Sequence, residues 1–362
     1  MIPILIAIFI LPVAEFSSNE ADTSYQNTIM VLPFVSYTPE TSVMFGLMAV
    51  YQFKPGRAGD NTRASNIIFS GTYTLNRQLM IELTPNVVLE NEALILEGRY
   101  EYSFFPDTYW GVGADSPDDA GTDIEYRQFD FQQEFLFKIS DYFHAGPKLR
   151  LSRLHDISFP ESSIQPAGGS TITETPEHST LPGIGFSLRS DRRNSLITPT
   201  KNHYLELTGM MYPSFAGNTH PHTTWLLDIR RYLDLLEDGK SVLALHLRNR
   251  YTTGNPPFQE YALLGGREIM RGYYEGRFRD HNAAQLQAEF RQHLAGRFGA
   301  TIFAAAGEVW GRFDELSFSN PKFSAGAGLR FNLNPKDTTN LRIDFGTGRH
   351  GSGLYITIGE AF

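Results

Sequence analysis

Residues 125–139 read EYRQFDFQQEFLFKI, and the alternation in this stretch decides the fold. Phe129, Phe131, Phe135, Phe137 and Ile139 fall on one parity; Asp130, Gln132, Glu134 and Lys138 fall on the other. A period of two puts successive side chains on opposite faces of a strand, whereas a helix would need apolar residues every three or four positions. The pattern extends in both directions. In ALILEGRYEYSF (93–104), Leu94, Leu96, Tyr100, Tyr102 and Phe104 oppose Glu97, Arg99, Glu101 and Ser103. In 241–251, Leu243, Leu245 and Leu247 oppose His246, Arg248 and Arg250. In 284–294, Leu286, Ala288, Phe290 and Leu294 oppose Gln285, Gln287, Glu289, Arg291 and His293.

One apolar and one charged face fits two architectures. In a soluble sandwich the apolar face is the core; in a membrane barrel it meets lipid while the charged face lines a wet lumen. Three features favour the barrel. The strands run to ~9–12 residues, which suits a tilted bilayer crossing better than the ~5–6 of soluble sheets. Aromatic residues cluster at a strand end (Tyr100, Tyr102, Phe104, Phe105, Tyr109, Trp110), as an interfacial girdle requires. The connections also sort by parity. Sixteen strands are expected near 31–37, 44–53, 66–75, 78–89, 93–104, 125–139, 143–154, 181–191, 203–211, 222–234, 241–252, 282–294, 298–307, 323–332, 340–346 and 353–362. The long connections 105–124, 155–180, 253–281 and 308–322 all fall on one side, and mostly short turns fall on the opposite side, with 54–65 and 192–202 longer. The expected fold is therefore all-β: a transmembrane antiparallel β-barrel of sixteen strands.

Composition narrows the function. Among 362 residues, 31 Lys and Arg stand against 40 Asp and Glu, a net charge of −9. A nucleic-acid binder needs a basic face, so no nucleic-acid partner is expected. Cysteine is absent, which removes disulfide scaffolds and thiolate metal sites. The N-terminus reads MIPILIAIFILPVA (1–14) followed by polar SSNEADTS (17–24), with Pro3 and Pro12 flanking the apolar run and no Lys or Arg before Lys54. This predicts a signal peptide over about 1–24 and a barrel domain over 25–362, with no room for a separate module in front. No apolar run of 18 or more follows residue 14, so no helical span is expected.

Chemical motifs are sparse. The P-loop, the His-Glu-x-x-His zinc pattern and the Gly-x-Ser-x-Gly elbow are absent. His220 and His222 have strand spacing but no third ligand. Asp115, Asp118, Asp119 and Asp123 crowd one outer loop and read as solvated acids. No enzyme activity, cofactor or metal site is expected. The 253–281 loop stands out. It holds four Arg and five Gly (Gly254, Gly265, Gly266, Gly272, Gly276). Glycine permits backbone bends that a Cβ forbids, so this loop, between the eleventh and twelfth expected strands, can fold inward. Arg271 would then meet a lumen lined by Glu289, Glu134 and Asp130, with Glu289 as its expected anchor partner.

Residues 265–280, GGREIMRGYYEGRFRD, resemble the Arg-Gly-Tyr/Phe loop motif of the BamA/TamA outer-membrane assembly family, the bacterial surface antigen barrels. Gly265 and Gly266 match its opening turn; Met270, Arg271, Gly272 and Tyr273 match its core, with Met where Val or Leu is usual; Gly276, Arg277 and Asp280 match its exit. SDRRNSLITPTKNHYLEL (190–207), YTPETSVMFGL (37–47) and AGAGLRF (325–331) are similar to other parts of the family. One departure is Ala305, which stands where the family usually places an Asp in a Phe-x-Asp-x-Gly pattern. On this account half of the carboxylate lock on Arg271 should be missing. The resemblance implies a barrel in the outer membrane of a Gram-negative-type bacterium, surrounded by outer-membrane lipids and opening laterally between first and last strands. It implies a role in protein insertion or translocation, with client or accessory periplasmic proteins unidentified. The final strand, GLYITIGEAF, with Tyr355, Ile356, Ile358 and Phe362, resembles the signal read by the outer-membrane insertion machinery during a barrel's own assembly. The alternative is a passive porin-like or structural surface protein that keeps the fold without the task.

Overall fold

A computed structural model describes residues 27–55, 62–158, 178–312, 320–334 and 339–362. The expected signal peptide lies outside the described residues. The strands are β1 (Thr28–Thr38), β2 (Ser42–Phe53), β3 (Ser65–Thr74), β4 (Leu79–Val88), β5 (Leu94–Tyr109), β6 (Thr122–Ser140), β7 (Phe143–Ser158), β8 (His178–Asp191), β9 (Asn202–Tyr212), β10 (His222–Asp234) and β11 (Ser241–Gly254). They continue with β12 (Ala262–Leu264), β13 (Phe278–Asp280), β14 (Asn282–Ala295), β15 (Phe298–Trp310), β16 (Lys322–Asn334), β17 (Thr339–Gly348) and β18 (Gly351–Ile358). All except β12 and β13 form one closed antiparallel barrel of sixteen strands, in the order expected from the sequence. β12 and β13 pair only with each other, as a short ribbon inside the β11–β14 connection.

Alternation translates into an inside and an outside. Phe69, Phe137, Ile184, Ile302, Leu329 and Phe345 are exposed on the outer face, while Asp130, Glu134, Gln287, Glu289, Arg330 and Asp344 are buried within. Closure pairs the backbone groups of each strand with its neighbours, which a bilayer core without water demands. Two exceptions to the parity have local reasons. Leu136 points inward and joins Val88 and Ile95 in a small apolar cluster. Gln133 shares the outer parity with Phe135, and there it accepts a hydrogen bond from the Tyr100 hydroxyl and donates to the Glu97 carbonyl (3.1 Å).

The wall is uneven in height. β5 to β8 have 16, 19, 16 and 14 residues, whereas β17 and β18 have 10 and 8. A tilted crossing needs ~9–11 residues, so β5–β8 extend past the bilayer. Their excess lies at the end carrying the long loops, called here the upper end, because tight turns around Ala93 and Asp141 join β4 to β5 and β6 to β7 below.

Seam strength is uneven too. β17 pairs with β18 continuously from Leu341–Ile358 to Gly348–Gly351. β1 and β18 register through one pair, Tyr37 and Ile356, supplemented by the Ser36 hydroxyl donating to the Ile356 carbonyl (2.6 Å).

Outward residues at mid-height should be the least tolerant of charge. Ile184 faces outward opposite Leu149, six residues, ~20 Å along the strand and ~14 Å in height, above Phe143. Ile184→Arg is expected to lower unfolding free energy in lipid vesicles by about 2–4 kcal/mol, measured by urea titration. An unchanged midpoint would contradict a lipid-facing wall.

Candidate functional site: the inward loop and its carboxylate lock

The β12–β13 ribbon turns the 255–281 connection down along the inner face of β14. Two inward glutamines act as clips, because a carboxamide both donates and accepts. Gln285 Oε1 accepts the Gly265 N–H (3.2 Å) and its Nε2 donates to the Leu263 carbonyl (3.1 Å). Gln287 does the same for the Met270 N–H (3.2 Å) and the Glu268 carbonyl (3.1 Å). The loop brings its own apolar contacts: Leu264, Ile269, Met270, Tyr273 and Phe278 cluster with Ala283, Ala305 and Val309 of the wall. Gly272 (φ +111°) brings the loop tip onto β17, where a Cβ would meet the Thr347 amide nitrogen at 2.7 Å. Gly346 receives it, since a Cβ there would lie 2.5 Å from the Arg271 carbonyl oxygen.

Arg271 sits at the tip and is fully buried. Its Nη2 donates to Glu289 and its Nη1 to Asp344, with the guanidinium 3.6 Å from the Phe303 ring centroid. Arg291 Nε donates to the second Glu289 oxygen (2.8 Å), and Arg330 Nη1 to the second Asp344 oxygen (2.5 Å). Arg330 Nε also reaches Glu360 (2.8 Å), and Arg342 Nε lies 3.5 Å from Asp344. Four guanidiniums thus share three carboxylates, each in charge-assisted contact. The halved lock expected from Ala305 is corrected here. The second carboxylate is Asp344 on β17, and Ala305 belongs to the apolar cluster under the loop. Glu134 and Asp130 serve other cations: Glu134 meets Lys148 (2.6 Å) and Arg189 (3.0 Å), and Asp130 meets Arg150 (2.7 Å).

The loop has further attachments. Glu260, buried at its start, accepts from Arg150 of β7 (3.0 Å) and Arg250 of β11 (2.8 Å). The Tyr274 hydroxyl donates to Asp107 (2.7 Å), and the Glu275 N–H to Glu40 in the β1–β2 turn (2.9 Å). Arg277 donates to the Ser116 carbonyl (2.8 Å) and to Asp118 (2.6 Å), which His350 approaches at 2.9 Å. Asp118 is therefore more than a solvated acid. Gly276 (φ +79°) bends the chain so that its N–H reaches the Leu264 carbonyl (3.0 Å). Gly266 closes a turn with Tyr273 (3.2 Å), and Asp280 accepts the His281 N–H (2.8 Å).

The last residues differ from expectation. β18 ends at Ile358, and Gly359 (φ +89°) turns the chain into the lumen. Phe362 is buried against Tyr232 and His246 of the far wall, 4.8 Å from the His246 ring, and Arg291 donates to its main-chain oxygen (3.0 Å). It does not continue the outward row of Leu354 and Ile358. Tyr355 points inward, where its hydroxyl accepts the Gly272 N–H (3.0 Å), and Ile356 lies at the β1 seam.

Asp344, Glu260, Glu360 and Arg330 escaped the sequence reading, and Arg291 was read only as part of the charged face of its strand. Inward parity was a signal for Asp344 and Arg330, but every strand offers inward charges.

Arg271→Ala should leave Glu289 and Asp344 short of a cation. Removing one partner of a buried pair costs about 3–5 kcal/mol. A lower melting temperature in detergent and new protease cuts in 255–281 are expected, with Asp344→Asn sharing the effect; unchanged melting and cleavage would contradict the lock. In the upper cap, the hydrogen bond from Arg277, then that from His350, holds the Asp118 carboxyl below its usual 3.8. The contact is complete at neutral pH and is lost as pH falls through that lowered value. Protection from hydrogen exchange around 114–118 and 276–279, relative to the intrinsic rate at each pH, should fall in that acid range and already be low at pH 7 in Asp118→Asn. A pattern equal in both proteins at pH 7 would refute the latch.

Comparison with known proteins places this geometry. The structure is similar to the crystal structure of BamA from Haemophilus ducreyi lacking POTRA domains 1–3, with a TM-score of 0.66 and 12% identity over 96% of this chain and 75% of that one. It is also similar to CdiB from Acinetobacter baumannii (TM-score 0.57, 14% identity, 92% of this chain and 59% of that one). For CdiB from Escherichia coli the values are 0.56 and 11%, over 97% and 68% of the two chains. At such identities these likenesses speak to the fold alone. No curated protein matches the chain. The Omp85 superfamily domain matches residues 63–362, which include the loop, its lock and the final strand. With most of its length covered, this β-barrel belongs to the Omp85 superfamily.

Proposed function

We propose that this barrel sits in the outer membrane of a Gram-negative-type bacterium and assists insertion or translocation of polypeptides there, by opening between β1 and β18. The observation that carries the proposal is the single registered pair at that seam, Tyr37 and Ile356, beside the fully paired β17–β18 seam. A strand edge with unmet N–H and C=O groups is a template for another strand. Antiparallel addition of a client strand to β1 would satisfy those groups within the bilayer, where no water can. The pinned loop fits this role better than diffusion through a pore, because it occupies lumen that a porin keeps open. The proposal includes no catalytic step and no cofactor. The barrel's own insertion would use the β18 face, with Leu354, Ile356 and Ile358 on the outward parity.

The chain has no Cys, so a paired Tyr37→Cys/Ile356→Cys variant gives a clean lock. Oxidised, it is expected to lower the amounts of other outer-membrane barrels or exported proteins, and reduction should restore them. In planar bilayers the wild type should show small, fluctuating conductance. Full activity of the locked barrel would contradict lateral opening, and a large, steady conductance would favour a porin.

A further inference from the structure

A row of basic side chains stands on the outer wall at the upper end of β6, β7 and β8, directly above apolar residues. Register fixes the rows. Phe131, Leu151 and Pro182 lie abreast; the next outward row up is Phe129, Arg153 and Thr180; the next is Arg127, His155 and His178. Within two steps the outward surface changes from Leu149, Leu151 and Ile184 to arginine and histidine. Outward residues near the upper ends of other strands remain apolar and exposed, as Phe45, Tyr73, Met211 and Phe323 show. These basic side chains border a groove of about 810 Å³ lined by Phe129, Arg153, His155, Asp156, Ile157 and His178. Asp156 is shared, lying 3.4 Å from Arg127 Nε and 3.3 Å from His155 Nδ1. Arg153 is exposed and has no carboxylate partner among the described residues.

Height gives the row its meaning. Arg153 lies ten residues above Phe143, ~33 Å along the strand and ~23 Å in height after tilt. That is about the height of a barrel's apolar band, so its guanidinium stands at headgroup level. A cation there is stabilised by anionic headgroups, and the apolar residues beneath it offer a bed for acyl chains. We propose that this groove binds a phosphate-bearing lipid of the outer leaflet. Arg153 meets the phosphate, Arg127, His155 and His178 surround it, and the chains lie along Phe129, Leu151 and Ile184. The inference rests on the outer-membrane placement proposed above.

The test is native mass spectrometry of the full barrel released from nanodiscs of phosphatidylcholine doped with diphosphoryl lipid A. The wild type is expected to retain lipid A in preference to phosphatidylcholine. Arg153→Gln/His178→Gln should lose that preference about tenfold or more, from loss of hydrogen bonds to a charged group. Lys201→Gln, at the lower end, should retain it. The double variant should keep the heat-modified migration of a folded barrel, since neither Arg153 nor His178 holds an internal side-chain contact among the described residues. Equal retention by the double variant would overturn the site. Displacement of lipid A by millimolar inorganic phosphate would also overturn it, by assigning the groove to a soluble anion. Cell fractionation separates the two readings: recovery outside the outer membrane defeats the placement, while lipid selection in nanodiscs still reports on the groove.

Discussion

Everything in this molecule follows from where its unpaired backbone and apolar surface can go. A bilayer offers neither donors nor acceptors, so each strand must find partners on both sides and the sheet must close. Closure then divides the side chains. The parity holding Phe137, Ile184 and Ile302 is left to lipid, and the parity holding Glu289, Arg330 and Asp344 is enclosed. An enclosed polar face is costly unless its charges find each other. The loop, the tail and the wall supply one another's counter-charges.

The Arg271 lock is the clearest consequence. A guanidinium has five N–H groups in a fixed fork, and here it spans carboxylates on β14 and β17 with an aromatic ring against its face. Arg291 and Arg330 extend the network to Glu360 and Phe362, so loop tip and chain end are tied through shared carboxylates. Such networks add little stability over a well-packed apolar core, but losing one member is costly. The arrangement therefore specifies a single position for the loop. It leaves the β1–β18 seam as the place where the wall is least paired.

Much of this was legible in the sequence because it depends on local period. Strand number, inside and outside, and the long-loop end all follow from alternation and spacing. Arg271 and Glu289 were legible because the loop is rich in glycine and β14 follows it directly. Asp344 was not, since it lies 73 residues from Arg271, and parity alone cannot say which of many inward carboxylates a loop will meet. Reading Ala305 as a missing anchor assumed that the lock must be built on β15, whereas geometry lets β17 supply it. The inward turn at Gly359 broke an alternation that seemed to run to Phe362. A positive φ at one glycine redirects a chain without changing its pattern. The tall β5–β8 wall was underestimated because alternation fades above the bilayer, where both faces meet water.

Sedimentation of the purified chain without detergent or lipid tests the central claim most directly. A barrel whose outer wall is covered by lipid should form large aggregates in plain buffer and become a defined particle only when an amphiphile is added. A monodisperse monomer in amphiphile-free buffer would contradict the account at its base.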